Sequence, residues 1–353
     1  MASGKRTPRL RRSDCSGPGL RRRRSGRGFS FLTDGGGRVT DRETLERVRS
    51  LAIPPAWQEV WICQDPLGHL QATGIDAAGR KQYLYHPRWR DHRDRQKFQR
   101  MMELGAVLPT ARRRIRRDLK SEGLMRERVL AGAARLLDVG MFRIGSEEYA
   151  DEEGGIGLAT LQQDNVSIQE GRALFDYLAK RGLRRVQVIE DPLAVEIVTD
   201  LRRRRAGGTQ LLAYREGRRW HDVRSSDINE YLKQQLGEEF SAKDFRTWNG
   251  TVMAAVGLAA DARAPTSGSG RKRAIKQAVG AVAELLGNTP TVARRAYIDP
   301  RVFDRYQSGW TIAGELERLP SLDPTDDRVR ARIEAAVLDL LADRRESPAL
   351  EHG

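Results

Sequence analysis

The hydrophobic period changes once along this 353-residue chain, and that change limits what it can fold into. Residues 28–90 are short runs broken by turn signals. GFSFLT leads into DGGG, and WQEVWICQDPLGHLQATGIDAAGRKQYLYHP is cut by DPLG and DAAG. One short helix interrupts them, DRETLERVRS, stopped by Pro54 and Pro55. Past His86, apolar residues recur at helical spacing, as Met125, Val129, Leu136 and Leu137 do in GLMRERVLAGAARLLDVG. The pattern predicts an α+β fold: a small β-rich N-terminal domain over 28–95, then a larger, mainly α-helical domain with a β-hairpin over 96–312. Residues 313–353 read as one amphipathic helix and a frayed tail. Residues 1–27 hold arginine clusters with almost no apolar content, so they read as a disordered basic tail.

Charge narrows the partner. Lys and Arg number 63 against 48 Asp and Glu, a net charge of +15. Such an excess attracts polyanions and releases their counterions on binding, which points to nucleic acid. A membrane partner is not expected: no apolar run approaches the roughly 20 residues needed to span a bilayer, and no helix opposes a basic face to a Trp/Leu face. The basic start lacks the apolar stretch of a secretory signal. Cys15 and Cys63 form no metal-binding pattern, and five scattered histidines add none. A reduced, cytoplasmic setting and no metal or cofactor are the expectation.

Several short stretches carry chemistry. In the last predicted strand, Tyr83 and Tyr85 share a face beside Arg80 and Lys81, a mix suited to lying on a duplex. MFRIGSEEY puts Arg143 just past a helix end, followed by Tyr149. ALFDYLAKRGLRRVQVIED reads as a hairpin turning at Lys180, Arg181 and Gly182, with Val186 and Val188 alternating after it. SAKDFRTWNGT opens a helix with Ser241 at the N-cap and Asp244 three residues on; Phe245, Trp248 and Val252 form its buried stripe, and Arg246 lies off it. RKRAIKQAVGAVAELLG is a helix closed by Gly287. Asn288 follows, and Thr289 with Pro290 starts a short helix that ends at Tyr297.

Each of these residues has an ordinary structural use on its own. Together they suit attack of a tyrosine on a phosphodiester. A phenol with a pKa of about 10 is a poor nucleophile in neutral water. Fixed guanidinium forks match the extra negative charge on the non-bridging oxygens and favour the phenolate. An Asn amide can donate one more hydrogen bond to a phosphoryl oxygen, and a lysine can protonate the departing 5′ oxygen.

FRIGSEEY, LAKRGLRRVQVIED, KDFRTWNGT and LGNTPTVARRAY, in this order, resemble type IB DNA topoisomerases of the small bacterial and poxvirus kind. With the weaker GIDAAGRKQYLYHP stretch, the resemblance covers roughly residues 28–312. It implies that Tyr297 is the nucleophile forming a 3′-phosphotyrosyl link, that Arg143 and Arg246 bind the scissile phosphate, and that Lys180 or a neighbouring cation is the general acid. Relatives usually carry Gly before that lysine; here it is Ala179. Asn288 stands where many relatives have His. Tyr149, Lys243 and the stretch holding Arg80, Lys81, Tyr83 and Tyr85 would contact DNA. The implied activity is ATP-independent relaxation of supercoiled double-stranded DNA by a monomer whose two domains clamp the duplex. A tyrosine recombinase shares the catalytic logic, but usually carries His where Lys243 stands and lacks a β-rich N-terminal domain. A non-catalytic DNA-coating relative is the third reading.

Overall fold

The computed structural model describes residues 8–145, 155–260 and 267–353, and the statements below concern those residues. The chain divides into two compact units between Lys97 and Phe98. The first is built on an antiparallel five-stranded sheet in the order β2-β1-β3-β4-β5. Its strands are β1 (Leu20–Ser25), β2 (Gly28–Leu32), β3 (Gln58–Ile62), β4 (Leu70–Ile75) and β5 (Lys81–Tyr85). Helix α1 (Arg42–Ser50) starts at Asp41, whose carboxylate accepts the Thr44 N–H at 2.8 Å. Its Val48 packs with Leu20, Phe31, Val60 and Ile62 in a small core.

The expectation of a disordered tail over 1–27 is corrected for residues 8–27; residues 1–7 lie outside the described residues. LRRRRS forms β1, an interior strand of the sheet. Composition misled because a strand needs partners for its backbone more than apolar side chains. Arg22 shows how such a strand is accommodated: its guanidinium donates to the carbonyls of Ile53 and Pro54 and lies 4.2 Å from the Phe29 ring. Upstream, Arg11 N–H donates to Leu67 O and Arg11 O accepts from His69 N–H, lacing the segment before β1 to the sheet.

The second unit is mainly helical. Helix α2 (Pro87–Leu119) runs across the division, and α3 (Arg126–Gly140) follows. Strands β6 (Val166–Gln169), β7 (Arg172–Ala179) and β8 (Leu183–Ile189) make an antiparallel meander. Then come α4 (Pro192–Arg203), the ribbon β9 (Ala213–Glu216) and β10 (Arg219–Asp222), α5 (Ser225–Leu236), α6 (Ala242–Ala260) and α7 (Gly268–Leu286). The chain ends with α8 (Pro290–Ala296), α9 (Pro300–Gln307), β11 (Trp310–Thr311), α10 (Ala313–Arg318), α11 (Asp327–Leu341) and β12 (Glu351–His352). Helix α6 runs through the core. Its Trp248 is fully buried against α2 at Gly105, where an added Cβ would sit 2.6 Å from the indole. No helix among the described residues is long and apolar enough to cross a membrane.

The C-terminal segment is not an appendage with a frayed tail. Val337, Leu340 and Leu341 of α11 are buried in the main core, and β12 pairs with β11. Glu334 of α11 accepts two hydrogen bonds from Arg112 of α2, at 2.6 and 2.7 Å. Arg112 also forks onto Asp138 of α3 at 2.8 and 2.9 Å, and Arg330 of α11 bonds the same carboxylate. Burial alone would raise the Asp138 pKa, but Arg112 and Arg330 override it and hold the carboxyl well below its ordinary range. Removing one member of a buried pair strands the others, so Asp138→Ala is expected to cost about 3–5 kcal/mol. Because the folded pKa is depressed, the Asp138 contribution is complete above the unfolded value of about 4 and falls away as the pH drops below it. Urea unfolding of wild type and Asp138→Ala should therefore differ most near neutrality and converge in acid; a gap that widens in acid would contradict the assignment.

Candidate active site

Helix α7 ends with carbonyl groups that have no partners inside the helix. Gly287 closes it in the left-handed region, φ 60°, and the Asn288 N–H turns back to Ala283 O at 2.9 Å. Three guanidiniums from separate segments meet three successive carbonyls there. Arg185 donates to Leu285 O, Arg246 to Leu286 O at 2.7 Å, and Arg143 to Gly287 O at 3.2 Å. Arg143 also donates to Asn288 Oδ1 at 2.6 Å. Cations at the negative end of a helix are favoured by its dipole.

Local structure delivers each group. Met141, with φ 51°, ends α3 and turns the chain, and Phe142 plugs into the core against Phe175 with ring centroids 4.8 Å apart. Arg143 leaves that turn half-buried. Arg246 rides on α6 and is only 4% exposed. Its Nη1 donates to Met141 O, so one of the two predicted phosphate-binding arginines braces the turn that carries the other. Arg246 Nε is buried without a hydrogen-bond partner. Burial lowers the Arg246 pKa, and the neighbouring Tyr297 acts in the opposite direction.

Tyr297 caps α8, which Thr289 and Pro290 start as the sequence predicts. Its placement depends on α6. Gly250 lies one turn beyond Arg246, on the same helix face. An added Cβ at Gly250 would sit 2.7 Å from Tyr297 O. Thr251 Oγ1 reaches that carbonyl at 3.4 Å and accepts the Asp299 N–H at 3.1 Å. The close approach brings the Arg246 guanidinium 5.1 Å from the Tyr297 ring centroid. Lys180 sits exposed on the turn between β7 and β8.

Arg143, Lys180, Arg246, Asn288 and Tyr297 all line one cleft of about 600 Å³. Arg184 and Arg185 line it too, against a single carboxylate among the described residues, Glu284. A second tyrosine, Tyr177, also faces it, but it is 5% exposed and burial raises its pKa; Tyr297 is half-buried. No three His, Cys, Asp or Glu side chains among the described residues are grouped as metal ligands.

The other predicted positions are dispersed. Lys243 is exposed on α6 and does not line the cleft. Lys81, Tyr83 and Tyr85 lie on β5 of the first unit; the two exposed tyrosine rings stack 6.1 Å apart, with Lys81 Nζ 5.9 Å from Tyr83. Arg80 is paired with Asp76 at 2.9 Å. Tyr149 lies outside the described residues. One expectation needs correcting. Arg246, placed off the buried stripe of α6, is buried because carbonyls from α7 and the α3 turn receive it. On β8 the alternation of Val186 and Val188 is present, and both point outward, 56% and 48% exposed, while Arg185 and Gln187 take the inner face. The sequence reading does not single out Arg185; the same alternation places it opposite the valines.

Two family models match this chain. One, described as the catalytic core of eukaryotic DNA topoisomerase I, matches residues 86–319, about two thirds of the chain. The other, the N-terminal domain of bacterial DNA topoisomerase IB, matches residues 28–76. The chain belongs to the type IB DNA topoisomerase family, enzymes of the isomerase class. A relative from Acanthamoeba polyphaga mimivirus, DNA topoisomerase 1B, is 28% identical over 298 residues, covering 82% of this chain and 88% of that protein. DNA topoisomerase 1 of Daucus carota is 30% identical over 129 residues, covering 36% of this chain and 15% of the plant protein.

The seat of Tyr297 on α6 can be tested by adding one methyl group. Gly250→Ala should destabilise by about 1–3 kcal/mol, since the contact is backbone and cannot swing away. Gly257→Ala on the same helix is the control: its added Cβ meets nothing closer than 3.8 Å, and the change should be neutral or stabilising by up to about 1 kcal/mol. Thermal unfolding of both decides it; equal effects would remove the special role of Gly250.

Proposed function

We propose that this enzyme relaxes supercoiled double-stranded DNA, acting as a monomer and without ATP, through a 3′-phosphotyrosyl intermediate. The observation that carries the reading is the common cleft: a half-buried tyrosine beside a buried arginine, with a second arginine, an asparagine and a lysine on the same walls. The Tyr297 oxygen attacks the scissile phosphorus and loses its proton to the surrounding water. The bond from phosphorus to the 5′ oxygen breaks, and Lys180 gives that oxygen a proton, leaving a 5′-hydroxyl. One diester replaces another, so no energy source is consumed. The free 5′ end turns about the intact strand, and attack by its hydroxyl on the phosphotyrosine restores the backbone and the phenol.

Arg143 and Arg246 hold the non-bridging oxygens, and their charge is aimed where negative charge grows in the transition state. Lys81, Tyr83 and Tyr85 would meet the duplex from β5, and Tyr149 and Lys243 would add contacts outside the cleft. Arg80 belongs to the same strand region, but its pairing with Asp76 makes it a weaker contributor.

Relaxation of a plasmid lacking any special site, in EDTA and without ATP or partner DNA, tests the proposal. Wild type should relax it, with activity falling steeply as salt rises. Tyr297→Phe should keep DNA binding and lose relaxation and covalent adduct by a factor of at least about 10⁴, since Tyr177, the other tyrosine described in the cleft, is buried and its phenol is held protonated by that burial. Relaxation by the phenylalanine variant, or a need for a second DNA site, would overturn it.

A further inference from the structure

The inner face of β8 carries two polar side chains that reach the ends of two different helices, α3 and α7. Gln187 donates to Gly140 O, the last residue of α3 and three before Arg143. Arg185 donates to Leu285 O, three residues before Asn288. Their side chains also join each other, Arg185 Nε to Gln187 Oε1 at 3.0 Å. One strand thus ties the carrier of Arg143 to the carrier of Asn288. The same strand leads out of the turn that holds Lys180, and Arg185 pairs with Tyr177 two rungs from that turn.

The chemistry of Arg185 separates it from the two phosphate-binding arginines. Its Nε and Nη2 are engaged, and its Nη1 is pressed against Gly287, where an added Cβ would lie 2.6 Å away. Arg246, by contrast, keeps a buried Nε with no partner. A fork so fully committed to carbonyl, amide and backbone is a strut and has little left to offer a phosphate.

We propose that Arg185 is a positioning residue for the general acid: it fixes the β7–β8 hairpin against the end of α7 and so sets where Lys180 stands relative to the scissile bond. The inference rests on the reading of Lys180 given above. Its consequence is specific to one bond, the one from phosphorus to the 5′ oxygen. Loss of the strut should slow protonation of the leaving group far more than it weakens the grip on the phosphate, because Arg143 and Arg246 keep their own bonds to Gly287 O and Leu286 O.

The test replaces the bridging 5′ oxygen by sulfur, at a cleavage site first mapped with wild type. A thiolate departs without a proton, so any defect confined to the general acid disappears. On the oxygen duplex Arg185→Ala should cleave about 10–100-fold slower than wild type, and on the sulfur duplex within about threefold of it. Lys180→Ala, measured alongside, should show the same rescue from a larger defect. Arg185→Lys keeps the charge but cannot bridge both acceptors, and should lie between; it carries the comparison if the alanine variant fails to fold. An Arg185 variant as slow on sulfur as on oxygen, beside a rescued Lys180→Ala, overturns the strut. A Lys180→Ala that sulfur does not rescue overturns the general-acid assignment and the strut with it, leaving Tyr297 to be judged by its own phenylalanine variant.

Discussion

Three consecutive carbonyl oxygens at the end of α7 hold together segments that are remote in sequence: the turn after α3, strand β8 and helix α6. A carbonyl fixes a guanidinium without cancelling its charge. That property separates this cluster from the other arginine cluster of the same unit, where Arg112 is matched by Asp138 and Glu334 and Arg135 by Asp191. There the charges are neutralised in place, and the cluster fastens α2, α3, α4 and α11. At the end of α7, none of Arg143, Arg185 and Arg246 pairs with a carboxylate among the described residues, so the cleft retains a positive field. Preorganised charge of this kind does not have to reorganise when negative charge develops on a substrate.

Helix α6 links the two halves of the chemistry. Arg246 and Gly250 stand one turn apart on the same face. The first supplies charge, and the second, by lacking a side chain, lets the backbone of Tyr297 settle against the helix. Trp248 between them anchors the helix to α2 at Gly105. The spacing of the proposed nucleophile and the proposed phosphate-binding group is therefore set by the packing of a rigid element, which is what a reaction sensitive to ångström displacements requires.

Much of this was legible in the sequence where the signal is local. Gly287, Thr289 and Pro290 announce the end of one helix and the start of the next, and the hairpin around Lys180 follows from its strand alternation and turn. What sequence reasoning missed depends on partners far away. LRRRRS looks like a disordered tail by composition, because nothing in it reveals β2 and β3 beside it. Arg246 falls off the buried stripe by spacing, since the carbonyls that receive it belong to other elements. The C-terminal helix looks separate from the core because the partner of Glu334 lies on α2, 222 residues earlier.

Of the eight phenols in the chain, one is proposed to become bonded to DNA. The direct measurement is to form the covalent complex in EDTA, digest DNA and protein, and locate the nucleotide-bearing peptide by mass spectrometry. The account predicts a nucleotide joined through its 3′ phosphate to Tyr297. A nucleotide on Tyr177 or any other residue, or no adduct from an active preparation, would contradict it.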